Sequence, residues 1–115
     1  GIIGGIGSAK EVADYAATRD VQFVNHTFTS HLALASSLLP YCGYENFIFC
    51  EYPVQLKYLA WDITYDHIKL NSEGEVEIPD KPGLGMEVDV ESIRSYLCDV
   101  TIDIDGKELY KTPSL

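Results

Sequence analysis

The hydrophobic positions of this chain form two short apolar runs, and each run ends in an ionisable side chain. Residues 21–25 are rich in apolar and β-branched residues and are followed by His26, and residues 47–51 form a second apolar run that ends in Glu51. Such patterns are typical of β-strands, so a strand is predicted over each stretch. A (β/α)₈ barrel presents its reactive side chains at the carboxyl ends of parallel strands, so we expect His26 and Glu51 to face one cavity.

Two helices are predicted around the first strand. Ser8 and Glu11 match a capping box, which predicts a helix from residue 8 to about residue 19. A second helix is predicted over residues 29–39, where Pro40 stops it. The order helix, strand, helix, strand is typical of an α/β array, and the crossover that it requires predicts parallel strands.

The pattern changes after residue 53, and we place the architectural division near Trp61. Short local elements joined by turns are predicted beyond it: a hairpin over residues 68–78 that turns at 71–74, a rigid loop over 79–85, a helix over 90–97, and a second hairpin over 100–110 that turns at 105–106.

The length of the chain bounds the fold. The chain has 115 residues, whereas a whole (β/α)₈ barrel needs about 250. It also begins at Gly1 without an initiator methionine. We therefore expect the chain to be the end of a larger enzyme. Expressed alone, it should be poorly soluble or oligomeric, because open strand edges and apolar surface would be left uncovered.

Charge and cysteine usage exclude several classes of partner. The net charge is −10, and the few lysines and arginines do not supply the clustered positive charge that binding to nucleic acid needs. No apolar run of membrane-spanning length occurs, so no membrane association is predicted. Three cysteines without a C-x-x-C pair favour a reducing compartment, and the cytoplasm is predicted.

Two further patterns are candidates for binding sites. The glycines at positions 4, 5 and 7 match neither dinucleotide-binding nor P-loop spacing, so we interpret them as a turn. His67 lies near Asp62 and Asp66 in a mixed loop, a set that is more often solvated than metal-binding. His31 only opens the second predicted helix.

Alternation along the strands decides how His26 and Glu51 are interpreted. His26 shares a face with Val24, so it points into a barrel if Phe23 packs against the helices. From spacing alone, a hydrogen-bonded structural histidine is the favoured interpretation. Glu51 is expected to share a face with two phenylalanines, and such burial could keep it protonated as a hydrogen-bond donor. A capping or ion-paired glutamate is an equal alternative.

Four short pieces of sequence carry a resemblance to a known family. They are Gly-Gly-Ile at residues 4–6, the strand ending in His26, Glu-Tyr-Pro at residues 51–53, and the loop 78–85 followed by Asp89. Their order and spacing, from about residue 4 to residue 96, resemble the C-terminal part of the mandelate racemase and muconate lactonizing enzyme branch of the enolase superfamily.

The resemblance implies a fold. The chain would be the C-terminal part of a (β/α)₇β, TIM-like α/β barrel, with a tail that contains short β-hairpins. Residues 1–60 would supply the last βα units, and residues 61–115 would form a tail returning toward a capping domain. Enzymes of this kind hold Mg²⁺ with three carboxylates, and the resemblance implies that these ligands and a lysine motif lie outside the chain.

The resemblance also implies roles for the two candidate residues. His26 would be the general base or acid, supported by an aspartate that precedes Gly1, and Glu51 would bond to the substrate carboxylate. A proton α to a carboxylate is a very weak acid, so a metal and hydrogen-bond donors must stabilise the enediolate that forms.

The leading hypothesis is therefore a sugar-acid or other hydroxy-acid dehydratase, with this chain inactive alone. A racemase, epimerase or cycloisomerase of the same superfamily is the alternative at the same site. A non-catalytic α/β interaction module is the alternative from another class. The expected partners are a small anionic substrate, the remainder of the same enzyme and further copies in a homo-oligomer.

Overall fold

The structure, a computed structural model, describes residues 3–114 of the chain. Four α-helices and two β-strands occur in these residues: α1 (Ile6–Ala17), α2 (His31–Leu38), α3 (Leu59–Asp62), α4 (Val90–Arg94), β1 (Thr101–Ile104) and β2 (Lys107–Lys111). One turn of 3₁₀ helix (Leu39–Tyr41) continues α2. None of the helices in the described part of the chain is long and apolar enough to cross a membrane.

The first helix begins earlier than the capping box predicts. Gly5 is the residue before α1, with a φ of 102° and no side-chain hydrogen bond at the cap. Ser8 and Glu11 therefore lie inside the helix, and the predicted start at Ser8 is wrong. The cause is the backbone freedom of Gly5, whose positive φ turns the chain into the helix before Ser8 is reached.

Helix α2 confirms the prediction for residues 29–39. Ser30 is its cap, and the Ser30 Oγ accepts a hydrogen bond from the Ala33 amide at 3.2 Å. Leu34 and Leu38 are fully buried on this helix, and Pro40 follows in the 3₁₀ turn. The helix therefore forms the centre of the apolar core.

The buried core is small for a chain of this length. It consists of Ala13, Leu34, Ala35, Leu38, Tyr41, Phe47 and Ile68. Many other large apolar side chains are exposed, among them Ile48 at 70% and Phe49 at 65%. The radius of gyration is 17.5 Å, whereas a compact domain of about 100 residues has about 13 Å. The chain is thus elongated, with much apolar surface uncovered.

The two predicted strands are present only as irregular chain segments. Residues 21–25 and 47–51 form no hydrogen-bonded ladder in the described residues, so the prediction of regular strands is wrong. The two segments do run in the same direction. The ring centroids of Phe23 and Phe47 are 5.9 Å apart, and Asn25, further along the first segment, is hydrogen-bonded to Glu51, further along the second. A side chain, rather than a direct backbone ladder, connects them.

Burial alternates along the first segment and does not alternate along the second. Phe23, Asn25 and Thr27 point inward, whereas Val24 and His26 are exposed, as predicted from the sequence. In the second segment Phe47 is buried while Phe49 is 65% exposed. The predicted shared face of Phe47, Phe49 and Glu51 is therefore wrong, because an irregular backbone does not keep the period of a strand.

The hairpin over residues 100–110 is confirmed. Strands β1 and β2 pair antiparallel, and the turn residues Asp105 and Gly106 both have positive φ, as a two-residue hairpin turn requires. Helix α4 begins at the predicted residue but ends at Arg94, three residues early.

The hairpin predicted over residues 68–78 forms only its turn. The Asn71 amide donates to the Glu75 carbonyl at 2.9 Å, yet the flanking residues form no strands in the described chain. Asn71 Oδ1 also accepts from the Glu73 and Glu75 amides. The side chain of Asn71 thus stabilises a local turn without any ladder. The division near Trp61 stays a prediction.

Candidate active site

His26 and Glu51 are in direct contact, although 25 residues separate them in the chain. His26 Nδ1 lies 2.7 Å from Glu51 Oε2. The His26 side chain is 68% exposed and the Glu51 side chain is 37% exposed. The burial expected for Glu51 is therefore partial. The contact gives an imidazole with one nitrogen engaged by a carboxylate, an arrangement that fixes the tautomer of a histidine.

The side chain of Asn25 joins the two segments that carry this pair. Its Oδ1 accepts a hydrogen bond from the Glu51 amide at 2.8 Å, and its Nδ2 donates to the Glu51 carbonyl at 3.2 Å. Nδ2 also donates to Ser37 Oγ at 2.9 Å. A carboxamide offers the same donor and acceptor as a peptide group. The Asn25 side chain thus takes the place that a neighbouring strand would occupy beside Glu51.

Tyr41 supports the same junction from the core. Its hydroxyl accepts from the Asn25 amide at 2.9 Å and lies 2.8 Å from the Phe49 carbonyl, to which it donates. Asn25 Oδ1 is a second acceptor for the hydroxyl at 3.0 Å. Burial raises the pKa of the Tyr41 hydroxyl above its ordinary value, against the opposing effect of the Asn25 amide. Tyr41 therefore keeps its proton and remains a donor.

An open groove lies along residues 21–29, and residues of both faces of this segment line it. It has a volume of about 900 Å³ and is bounded by one apolar face of α1 and by part of α2. Val24, His26 and Phe28 line it, and the Phe28 ring centroid is 5.3 Å from that of His26. Glu51 contacts His26 but does not line this groove, so the single shared cavity that we predicted is a groove for His26 with Glu51 beside it.

The side chains of Asp62, Asp66 and His67, the candidate metal ligands of the loop, contact other residues. His67 stacks on Trp61 with ring centroids 3.8 Å apart, and its Nε2 is 2.9 Å from the Trp61 carbonyl. Asp62 accepts a hydrogen bond from a tyrosine hydroxyl, and Asp66 accepts one from Lys81. No group of three or more potential ligands that could hold a metal occurs in residues 3–114.

His31 is more than the first residue of a helix. It is 1% exposed, and its Nδ1 accepts a hydrogen bond from the Ile68 amide at 3.2 Å. Its Nε2 has no hydrogen-bond partner in the described residues. Burial lowers the pKa of His31, and the nearby charge of His67 lowers it further. A neutral His31 thus connects α2 to the C-terminal region.

Sequence reasoning missed Asn25, Tyr41 and His31 as parts of the site or its support. One signal for Asn25 was available. Alternation placed this polar residue on the same inward face as Phe23, and a buried amide needs hydrogen-bond partners. Nothing in the sequence indicated that the partner is Glu51.

Comparisons with known proteins place the chain in context. The sequence model of a family described as enolase C-terminal domain-like matches residues 1–93. D-xylonate dehydratase from Haloferax volcanii is 26% identical over 109 residues, which are 94% of this chain and 24% of that protein. A crystal structure described as a predicted mandelate racemase from Rhodobacter sphaeroides is 50% identical, with a TM-score of 0.89 over 96% of this chain and 28% of that chain. The chain thus spans about a quarter of the length of each relative.

Proposed function

Because this chain belongs to the enolase superfamily, as a C-terminal part of its mandelate racemase and muconate lactonizing enzyme branch, we propose that it forms part of an enzyme that removes the proton α to a carboxylate. The observation that carries the proposal is the contact of 2.7 Å between His26 Nδ1 and Glu51 Oε2. It joins a candidate base to a candidate carboxylate-binding group beside an open groove.

His26 is the proton-transfer group of this proposal. With the Nδ1 proton donated to Glu51 Oε2, Nε2 carries the free lone pair and accepts the α-proton of a substrate. The electron pair of the broken C–H bond moves into the substrate carboxylate as an enediolate. The exposed side chain of His26 on the groove allows a small anionic molecule to approach it.

The two carboxyl oxygens of Glu51 have different hydrogen-bonding roles in this proposal. Oε2 accepts from His26, and a proton on Oε1 is donated to the substrate carboxylate as negative charge develops there. Such a donor stabilises the transition state more than the ground state, because the charge on the substrate grows during the step. The two residues thus act on opposite products of the same bond cleavage.

We propose dehydration of a sugar acid or another hydroxy acid as the net reaction. If a hydroxyl is β to the carboxylate, the enediolate expels it, and the proton held by His26 leaves with it as water. Similarity to a D-xylonate dehydratase supports this choice. Racemisation or epimerisation is the second candidate, favoured by similarity to a predicted mandelate racemase, and a cycloisomerase would use the same α-proton chemistry.

The remainder of the proposal concerns what surrounds this chain. Residues 1–60 supply the last βα units of a (β/α)₇β barrel, and residues 61–115 form a tail toward a capping domain. Mg²⁺, which enolase-superfamily sites use with a lysine or histidine base, is held by carboxylates outside this chain. The uncovered apolar surface supports a covering by the rest of the same enzyme and by further copies. The free cysteines support a cytoplasmic setting.

Exchange of the α-proton in deuterated water tests the function in the enzyme that contains this chain. A panel of sugar acids is incubated with the wild type, His26→Asn, Glu51→Gln and Glu51→Ala. We expect His26→Asn to lower turnover and exchange by at least about 10²-fold. Glu51→Gln retains a hydrogen-bond donor, so its turnover should fall less than that of Glu51→Ala.

The products separate the two reactions. Exchange accompanied by a 2-keto-3-deoxy acid indicates a dehydratase, and exchange with inversion alone indicates a racemase or epimerase. Unchanged exchange in His26→Asn would return this histidine to a structural role and overturn the proposal.

A further inference from the structure

We infer that Asn25 is a positioning residue of the proposed site, whose carboxamide sets Glu51 against His26; the inference rests on the proposed function. Asn25 is 5% exposed and directly precedes His26 in the chain. In the described residues its side chain forms no hydrogen bond with the side chain of His26 or Glu51. It acts on the backbone of the residue that carries the carboxylate.

The contact between Asn25 and Glu51 restrains both position and rotation. Two hydrogen bonds, at 2.8 Å to the amide and 3.2 Å to the carbonyl, engage both polar backbone groups of Glu51. A single bond would leave the backbone free to turn about it, whereas two bonds to opposite groups do not. Because His26 shares the backbone of Asn25, the distance between the two reacting side chains depends on this one carboxamide.

The carboxamide is itself held in one orientation. Ser37 Oγ donates its proton to the Leu34 carbonyl at 2.8 Å, so it meets Asn25 Nδ2 as an acceptor. A flipped amide would bring Oδ1 to the Glu51 carbonyl and Nδ2 to the Glu51 amide, two unfavourable pairs. The Tyr41 hydroxyl holds the backbone amide of Asn25 at 2.9 Å. Helix α2 and the turn after it therefore orient the residue that orients Glu51.

This arrangement predicts an effect on chemistry that passes through Glu51. Asn25→Ala removes both bonds and releases the Glu51 backbone, and a displacement of about 1 Å in a reacting group can cost about 10²-fold in rate. We expect kcat to fall by about 10²-fold. Asn25→Asp keeps the shape of the side chain but replaces the Nδ2 donor by an acceptor that faces the Glu51 carbonyl. Its kcat should therefore not return to the wild-type value. Asn46→Asp adds the same charge at an exposed position and is the matched control.

A double-mutant cycle with Glu51→Ala distinguishes positioning from general support of the fold. If Asn25 acts through the Glu51 side chain, Asn25→Ala should lower kcat about 10²-fold in the wild type and leave it unchanged in the Glu51→Ala background. Thermal melts of all variants verify folding. If the fold-reductions in kcat of the two single variants multiply in the double variant, the inference is overturned. An unchanged kcat in Asn25→Ala would also overturn it.

A second cycle applies if Asn25→Ala does not fold. Ser37→Ala removes only one partner of the carboxamide, so kcat should fall a few-fold in the wild-type background and should not change in the Glu51→Ala background. An unchanged kcat in Ser37→Ala, or fold-reductions that multiply in the double variant, would overturn the inference.

The His26→Asn variant distinguishes failure of the positioning role from failure of the proposed function. If it is inactive while the Asn25 and Glu51 effects multiply, the proposed function stands and the positioning role fails. If it is fully active, the proposed function itself fails.

Discussion

The chain before residue 54 and the chain after it are stabilised in different ways. Every residue of the buried core except Ile68 lies in the first region, where α1, α2 and two irregular segments surround it. The second region consists of short helices, turns and a hairpin whose strand residues are all exposed. The first region thus depends on packing between distant residues, and the second on local hydrogen bonds and a few anchors to the first. The proposed reacting groups both lie in the region with the core.

The largest expected consequence is self-association of the isolated chain, driven by the first region. Its irregular segments form no backbone ladder in the described residues and leave apolar side chains beside the groove, and such an edge is a template for pairing with other chains. We expect analytical ultracentrifugation to show oligomers that decrease in Val24→Lys, since Val24 lines the groove. Leu109→Lys, in the exposed hairpin, is the control and should change little. A monomer with a cooperative melt would contradict this prediction.

A buried and an exposed leucine should differ strongly in their contribution to stability. Leu34 is 0% exposed in α2, and Leu109 is 57% exposed in β2. Leu34→Ala should lower the free energy of unfolding by about 2–5 kcal/mol, because it removes transfer energy and leaves a cavity. Leu109→Ala should change it by less than about 0.5 kcal/mol. Urea unfolding monitored by circular dichroism measures both, and similar losses would erase the distinction between the regions.

His31 connects the regions, and its effect should be smaller and dependent on pH. Its pKa is lowered from the ordinary value of 6.5 by burial and by His67, so the unfolded state binds more protons. Stability is therefore complete above about pH 6.5 and decreases as the pH falls below it. Thermal melts from pH 7.5 to pH 5 should show this decrease.

His31→Leu is the variant that isolates this effect. At pH 7.5 it should cost about 1–3 kcal/mol, because the Ile68 amide loses its acceptor, and it should weaken the dependence on pH. The carboxylates with lowered pKa, Asp14 and Asp89, titrate below their ordinary value of 3.8 and thus outside this window. An unchanged slope in His31→Leu would assign the pH dependence to another group.

Local signals were readable in the sequence, whereas nonlocal pairing was not. The cap at Ser30 and the turn at Asp105 and Gly106 involve residues within a few positions of each other, so α2 and the second hairpin follow from propensity and turn geometry. The start of α1 depends on the φ of Gly5, which no side chain reveals. Strand-end reasoning predicted that His26 and Glu51 lie near each other at one cavity, but it predicted neither their direct contact nor the lack of a backbone ladder between their segments in the described residues.

The part of the site that sequence did not reveal has a physical cause. Asn25 forms a hydrogen bond with the backbone of Glu51, 26 residues away. Backbone amides and carbonyls are the same in nearly every residue, so no sequence pattern indicates which of them is the partner. A buried amide indicates that hydrogen-bond partners exist, but it does not indicate which residues they are. The same holds for His31 and the amide of Ile68, 37 residues apart.

The alternation of residues 23–28 makes this segment intolerant of insertions and deletions. Phe23 and Asn25 point inward while Val24 and His26 point outward, so loss of one residue between positions 21 and 24 would exchange the two faces. The imidazole would then turn into the aromatic core, and the carboxamide would turn out to water. Natural length variation among related chains should therefore accumulate in the exposed turns at residues 71–74 and 105–106, and a one-residue deletion at position 22 should abolish activity even where every hydrophobic residue is kept.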